Sequence, residues 1–359
     1  MSTTTHDHTR WTPRGAFLLV LALAASMAAG ISGAQASVHT QGPPPSGCLA
    51  LTGDTGSTTP VDDPVHDPAI FKDPSTQTYY VASTGVLQSP EDPGGIYLRR
   101  SVGSLEGPWE SLGALPVPEW ALEYGSEHLW APDIVRTGDT FWLYYAVSQL
   151  GTQNSAIGVM STTTPDDLDS WQDHGPVFTS EPGDPYNAID PQVLKDRGTW
   201  YLAFGSWWEG IHLVELGDMT STTGEPVQLA EVTGAPSLEA PTIVFRKGNY
   251  YLFTSRGFIV SDSYHVQVGR SRSLTGPYVD RDGVPLLEGG GTVVLETEGG
   301  AGGQDVIKDR GRYYMVNHVY EWEPDLQIRM QICELQWDEG WPEVPDDDGS
   351  TTPGRKGPR

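Results

Sequence analysis

Five stretches of the chain repeat one pattern: a small or acidic residue, often followed by proline, then a β-branched apolar pair, a polar turn and a run of aromatic residues. They begin at Asp67 (DPAIFKDPSTQTYYVAS), Ala131 (APDIVRTGDTFWLYYAVS), Asp190 (DPQVLKDRGTWYLAFGS), Ala240 (APTIVFRKGNYYLFTS) and Gly303 (GQDVIKDRGRYYMVNH). Apolar β-branched and aromatic residues on both sides of a Gly- or Asp-containing turn predict a strand, a tight turn and a second strand. The starts lie 64, 59, 50 and 63 residues apart, a period that fits one four-stranded sheet per repeat. Radial packing of five such sheets predicts an all-β, five-bladed β-propeller. A second motif supports it: SLEGPW from Ser104 recurs as SLTGPY from Ser273, and this turn is expected to lead into the outer strands of a blade. A two-sheet sandwich would leave five similar hairpins unexplained.

In a propeller the inner hairpins start near the axis, so residues distant in sequence share one funnel. The entrances offer Asp67, Asp190 and Glu239, the last of these immediately before Ala240; Asp133 and Asp305 lie slightly further along their strands. An isolated Asp-Pro is more often a turn initiator whose carboxylate caps local amides. Convergence changes its meaning, because glycoside hydrolysis needs two carboxyl groups across the scissile bond, one protonated and one ionised. A third carboxylate nearby would raise the acid by like-charge repulsion. The tripeptide SLE occurs twice, but Glu106 takes the place of Thr275 in the outer-turn motif, so only Glu239 is expected at the funnel.

Composition agrees with short strands and many turns: 29 prolines, 42 glycines and 12 tryptophans in 359 residues, with only 19% charged. Acidic residues outnumber basic ones 47 to 21, for a formal net charge of −26. That balance excludes nucleic acid and anionic membrane surfaces as partners, since both need clustered Lys and Arg. Arg10 and Arg14 precede the apolar run AFLLVLALAASMAAGISGA, and Ala34-Gln35-Ala36 offers small residues for cleavage. The pattern predicts a signal peptide cut near Ala36, a secreted product and no membrane attachment after cleavage; an uncleaved anchor is the competing reading. The expected layout is signal peptide 1–36, linker 37–50, catalytic propeller 51–344 and disordered tail 345–359. Cys48 and Cys333 stand near the two ends of the mature chain in an oxidising compartment, and either pair or remain unrelated thiols.

The ordered set VHDPAIF, LWAPDIV, NAIDPQVLKDRGTWYLAFGSWWEGIHLVEL, SLEAPTIV, VGRSRSLTGPYVDRDG, GGGT and ELQWDEGWP resembles glycoside hydrolase family 43 and, within it, the arabinan-cleaving enzymes, over roughly Thr52 to Pro342. The resemblance implies a five-bladed propeller and hydrolysis with inversion, with Asp67 as general base, Glu239 as general acid and Asp190 as the residue that tunes and orients the acid. Linear α-1,5-arabinan cut internally is the expected substrate. An exo-acting arabinofuranosidase, a β-xylosidase and a sugar-binding propeller without catalysis are the alternatives. His66, Trp130, Asn187, Ser206, Trp207 and Trp208 are candidates for gripping sugar, since flat aromatic faces bury the apolar side of a ring and polar groups fix its hydroxyls; for each tryptophan the competing fate is blade core.

Two departures stand out. The family's Gly-His-Asn motif at the fifth hairpin, whose histidine holds a calcium-centred water cluster, is here AGGQDV, with Gly303 at the histidine position. Gln304 and His318 are the remaining candidate ligands for a structural calcium at the axis, and no cofactor is required by the expected chemistry. After YYLFTS the chain carries the short RGFIVSDSYHVQVGR in place of the family's longer loop, and loops at the mouth decide which subsites exist.

Overall fold

The computed structural model of the protein describes residues 47–53, 64–85, 94–125, 128–149, 151–231, 237–322 and 326–345. The expected signal peptide with its cleavage site, most of the expected linker and the C-terminal tail beyond 345 lie outside these residues.

Among the described residues, twenty strands form five antiparallel four-stranded sheets, each a meander in chain order. Blade 1 contains β1 (Ala69–Asp73), β2 (Thr78–Ser83), β3 (Tyr97–Val102) and β4 (Trp109–Ala114); blade 2 contains β5 (Trp130–Thr137), β6 (Thr140–Ser148), β7 (Ser155–Thr162) and β8 (Gln172–Ser180). Blade 3 is β9 (Gln192–Asp196), β10 (Thr199–Phe204), β11 (Ile211–Asp218) and β12 (Ser221–Ala230). Blade 4 is β13 (Leu238–Arg246), β14 (Asn249–Arg256), β15 (His265–Ser271) and β16 (Thr292–Glu296), and blade 5 is β17 (Ala301–Asp309), β18 (Arg312–Glu321), β19 (Gln327–Asp338) and β20 (Trp341–Glu343). The five sequence repeats are the β1–β2, β5–β6, β9–β10, β13–β14 and β17–β18 hairpins, so the predicted propeller is the observed one.

The apolar positions of the repeat build the blade interfaces. Tyr80, Leu98, Ile134 and Phe141 join blades 1 and 2, and Tyr144, Ile157, Val193 and Leu202 join blades 2 and 3. Corresponding clusters lie between blades 3 and 4, 4 and 5, and 5 and 1. Apolar faces therefore meet neighbours around the whole ring, and burial of this area drives closure.

Near the axis the blades are tied by polar contacts. The Ala131 amide donates to Thr84 Oγ1 (blade 2 to 1, 2.8 Å), and that of Val193 donates to Asp133 Oδ2 (3 to 2, 2.6 Å). Gln192 Oε1 accepts from the Ile243 amide (3.3 Å), Thr242 Oγ1 donates to the Gln304 carbonyl (2.7 Å), and Asp305 Oδ2 accepts from the Ile70 amide (2.8 Å). Every junction of the ring thus has a hydrogen bond at its centre, satisfying backbone groups that a converging funnel would otherwise bury unpaired.

Blades 5 and 1 are also clamped from outside. Leu49 N–H donates to the Ile332 carbonyl, and Thr52 bridges to blade 1 through the Glu106 carbonyl and the Trp109 amide. Cys48 and Cys333 are disulfide-bonded, which resolves the open question of their pairing: the segment 47–53 spans the junction between the first and last blades. The SLEGPW and SLTGPY turns behave alike: Trp109 Nε1 donates to the Leu105 carbonyl, and Tyr278 Oη to that of Leu274, both at 2.9 Å. In blade 1 the turn leads directly into β4; in blade 4 a short bridge through Val279 precedes the outer strand β16. Glu106 is exposed and contributes its backbone carbonyl to the strap.

Candidate active site

The entrance to each inner hairpin adopts the same unusual backbone. Asp67, Ala131, Asp190, Ala240 and Gly303 have φ of 48°, 38°, 55°, 55° and 56°. A left-handed conformation strains any residue with a Cβ and persists where surrounding structure enforces it, often at functional sites. Just beyond it, β5, β13 and β17 show a register break, between Trp130 and Asp133, Glu239 and Thr242, and Gly302 and Asp305. The repeat makes Asp67 and Asp190 equivalent, while Glu239 is equivalent to His66, one residue earlier. Glu239 therefore reaches the funnel from a different backbone position than the two aspartates.

Gly303 is accordingly the fifth left-handed entrance. A Cβ there would stand 2.4 Å from Asp67 Oδ1 and 2.7 Å from His318 Nδ1, so glycine lets both groups crowd the axis.

Asp67 is held at one oxygen and open at the other. Its Oδ2 accepts from His66 Nδ1–H (2.6 Å) and Thr84 Oγ1 (2.8 Å). Among the described residues no hydrogen bond reaches Oδ1, and the side chain keeps 19% exposure. Burial alone would raise this carboxyl, but the adjacent His66 imidazole and the bonds from His66 and Thr84 outweigh it and hold Asp67 at about 2. Burial likewise opposes the charge on His66, yet adjacent Asp67 prevails and moves the imidazole upward. His66 Nε2 is fixed by Tyr320 Oη at 2.7 Å.

Glu239 lies in a tighter cage. Ser206 Oγ (2.9 Å) and Trp207 Nε1 (3.1 Å) donate to Oε2, and Tyr264 Oη stands 2.8 Å from Oε1. Ser206 and Trp207 arrive there because residue 206 bridges to Glu239 and the Trp207 amide donates to the Leu238 carbonyl. Burial raises Glu239, and the Asp67 charge adds to it, against the opposing hydroxyl and indole donors. Asp190 is driven well up by burial first and then by the charges of Glu239 and Asp67, although its Oδ2 accepts from the Ala240 amide at 3.1 Å. Asp190 and Glu239 form an interacting pair that retains a proton where an isolated carboxyl has lost it.

The hydrogen bonds show where that proton fits. Indole N–H can only donate, so Oε2, which also receives Ser206, is the carbonyl oxygen of a neutral acid. Oε1 faces a hydroxyl, which accepts as readily as it donates. A protonated Glu239 therefore satisfies every partner with its proton on Oε1.

The two ends of the site are separated by stacked rings. The Tyr264 ring lies 6.0 Å from that of His318, which lies 4.1 Å from that of His66. Asp67 is hydrogen-bonded to the His66 end of this stack and Glu239 to its Tyr264 end. Tyr264, Tyr320 and Thr84 were not singled out from sequence, because they lie outside every repeated motif and meet the site only through folding.

The other candidates divide. Asn187 is buried and its Oδ1 accepts from Ser155 Oγ (2.6 Å); Ser206 serves Glu239. Trp130 is half-buried, Trp207 holds Glu239, and Trp208 is 39% exposed.

The tentative calcium ligands do not fit a hard cation. Gln304 Nε2 donates to the Ala240 carbonyl (2.5 Å) and its Oε1 accepts from Ser255 Oγ (2.8 Å). His318 Nδ1 accepts from the Asp67 amide (3.1 Å), which places the proton of this neutral ring on Nε2 and leaves no lone pair there. Burial drives His318 well below its ordinary value, followed by repulsion from His66, so the 3.6 Å approach to Asp67 Oδ1 is not an ion pair. The His66, Asp67 and His318 ligand atoms lie within 4.8 Å of one another, but the two Nδ1 atoms are committed to hydrogen bonds, and calcium prefers several oxygens.

Beneath the entrances lie two further buried carboxyls. Burial, then the charge of Asp305, raises Asp133 to about 8; burial raises Asp305 to about 6. Unfolded, Asp133 titrates near 3.8, so between these values the folded state holds a proton that the unfolded chain has released, and stability falls as pH rises. Asp133→Asn keeps an acceptor for Val193 and removes this penalty. Denaturant unfolding should show no gain below about pH 4 and a gain growing toward pH 8, by at most about 1.4 kcal/mol per pH unit; an equal gain at both ends would contradict it.

A five-bladed propeller whose axial mouth gathers opposed carboxyl groups is the architecture of a glycoside hydrolase. The chain belongs to the glycosyl hydrolases family 43, whose profile matches residues 57–342. It is 39% identical to arabinan endo-1,5-alpha-L-arabinosidase C of Emericella nidulans, over 78% of this chain and 91% of that one. It is 36% identical to extracellular endo-alpha-(1->5)-L-arabinanase 1 of Bacillus subtilis, over 77% and 87%. Among solved structures, an exo-1,5-alpha-L-arabinanase from a bovine ruminal metagenomic library superimposes with a TM-score of 0.70 at 32% identity, over 79% of this chain and 97% of that one.

Proposed function

We propose that the protein is a secreted, inverting hydrolase that cuts α-1,5-linked arabinan within the chain. The observation that carries the chemistry is the opposite protonation of two carboxyls facing one funnel: Asp67 is held ionised at about 2, while Glu239 sits in a cage that suits its neutral acid. Asp67 Oδ1 takes a proton from water, whose oxygen attacks the anomeric carbon. The glycosidic C–O bond breaks, and Glu239 gives its Oε1 proton to the leaving oxygen. Asp190 fixes the Ala240 backbone beside Glu239 by accepting from the Ala240 amide, and tunes the acid as its partner in the interacting pair. His66 orients the base, and Trp130, Trp208 and Asn187 are assigned to sugar contacts around the mouth.

Internal cleavage is supported by the two endo-acting relatives, and secretion by the N-terminal signal pattern and the extracellular Bacillus protein. No step is assigned to a metal or cofactor. Among the described residues no helix is long and apolar enough to cross a membrane. Early products from linear arabinan decide the mode. A ladder of mixed oligomers is expected; arabinose alone would make the enzyme exo-acting, and no hydrolysis at all would leave a sugar-binding propeller.

A further inference from the structure

Three contacts sew the segment before β1 to blade 5. The Val65 amide donates to the Ile328 carbonyl (2.8 Å), the Asp67 amide donates to His318 Nδ1 (3.1 Å), and His66 Nε2 lies 2.7 Å from Tyr320 Oη. Asp67 therefore takes its position from β18 and β19 as well as from its own blade.

Of these partners Tyr320 is the one whose side chain is hydrogen-bonded to the His66 ring, and it is held firmly. It pairs with Ile328 between β18 and β19, and its amide donates to the Gly300 carbonyl at 3.1 Å. Its ring is 2% exposed and lies 4.9 Å from that of His318 and 6.3 Å from that of Tyr264.

Hydrogen-bond direction defines what the hydroxyl does. An ionised Asp67 only accepts, so His66 Nδ1 carries the proton of the 2.6 Å bond to Oδ2. The neutral ring then has its lone pair on Nε2, which needs a donor, and the phenol O–H supplies one. A hydroxyl also accepts, so it meets Nε2 equally when the ring carries a second proton. With both nitrogens held, the ring cannot turn without breaking two bonds.

We propose that Tyr320 is a positioning residue for the base: its hydroxyl, bonded to His66 Nε2, keeps His66 Nδ1–H on Asp67 Oδ2 and so leaves Oδ1 as the oxygen that meets the water. An outer partner that fixes the orientation of an imidazole acts on whatever the other nitrogen holds. This inference rests on the reading of Asp67 as general base and adds the residue that sets its geometry.

Tyr320→Phe tests it, because the phenyl ring keeps the contacts with His318 and Tyr264 and loses the hydroxyl alone. Turnover is expected to fall roughly 10- to 10²-fold, the scale of a misplaced reacting group, with KM nearly unchanged. The fall should be equal on linear arabinan and on an aryl arabinofuranoside, since the defect lies with the base. Unaltered turnover, a loss that appears in KM, or a loss confined to arabinan, which would place the damage at Glu239, would each overturn the proposal. A proton resonance supplies a second measurement that packing alone would not move. The His66 Nδ1 proton, identified by its absence in His66→Gln, should lie far downfield in the unaltered enzyme and exchange with water faster in Tyr320→Phe. Its absence from the unaltered enzyme, which needs no folded variant to observe, or its indifference to Tyr320→Phe would also overturn the proposal. Full activity of Asp67→Asn would instead remove the reading of Asp67 as base, whereas an inactive Asp67→Asn beside a fully active Tyr320→Phe would remove this inference alone.

Discussion

Glu239→Gln is expected to lower turnover of linear arabinan by roughly 10²- to 10⁴-fold, the usual worth of a positioned proton donor. The cage makes this substitution a clean one. A glutamine carbonyl at the Oε2 position accepts from Ser206 and Trp207 as the acid does, and its amide donates to Tyr264 from the Oε1 position. Fold and cage survive while the transferable proton is lost. The deficit should shrink sharply on an aryl arabinofuranoside whose leaving group needs no protonation, and the decline of activity toward high pH should disappear. In the unaltered enzyme that decline follows loss of the proton held by the Asp190–Glu239 pair, Glu239 being raised by burial and the Asp67 charge, and Asp190 by burial and the charges of Glu239 and Asp67. Glu106→Gln should leave rates unchanged, because Glu106 serves the strap through its backbone carbonyl alone. Full activity of the Glu239 variant on arabinan would remove it from the role of acid.

Asp67→Asn should be comparably severe, again roughly 10²- to 10⁴-fold, but with a different signature. Asparagine can place its carbonyl oxygen where Oδ2 accepts from His66 and Thr84, leaving an amide toward the water where Oδ1 stood. Nothing there can take a proton. Because the defect lies in activating the nucleophile, aryl arabinofuranosides should not rescue it. Asp67 stays ionised down to about 2, so its own titration should not shape the acid side of the unaltered enzyme's profile above about pH 3. Rescue of this variant by a better leaving group would contradict the assignment of Asp67 as base.

At the fifth hairpin the structure adds what the sequence could not show. Gly303 reads as a lost histidine when a motif is compared position by position. In three dimensions it is one of five left-handed entrance residues, packed against Asp67 Oδ1 and His318 Nδ1. Gln304, read as a possible calcium ligand, has its amide spent on Ala240 and Ser255, and His318 has its Nδ1 spent on the Asp67 amide, while its buried Nε2 meets no partner among the described residues. Hydrogen-bond direction bears on that question, and it is not written in residue identity.

The sequence by itself determined the five hairpins, the propeller and the placing of Asp67, Asp190 and Glu239 at its mouth, because alternation, turn residues and repeat period are local properties that recur in each blade. It also separated the two SLE glutamates, since Glu106 stands where threonine serves equally. Only the tertiary structure decided the rest: the Cys48–Cys333 bond that ties the N-terminal segment to blade 5, and the opposed environments of the Asp67 and Glu239 carboxyls. The cause is that burial, charge and hydrogen bonding on each carboxyl come from residues distant in the chain, Thr84 and Tyr264 beside other strands of the same blade and Ser206 and His318 from neighbouring blades, between 17 and 251 residues away.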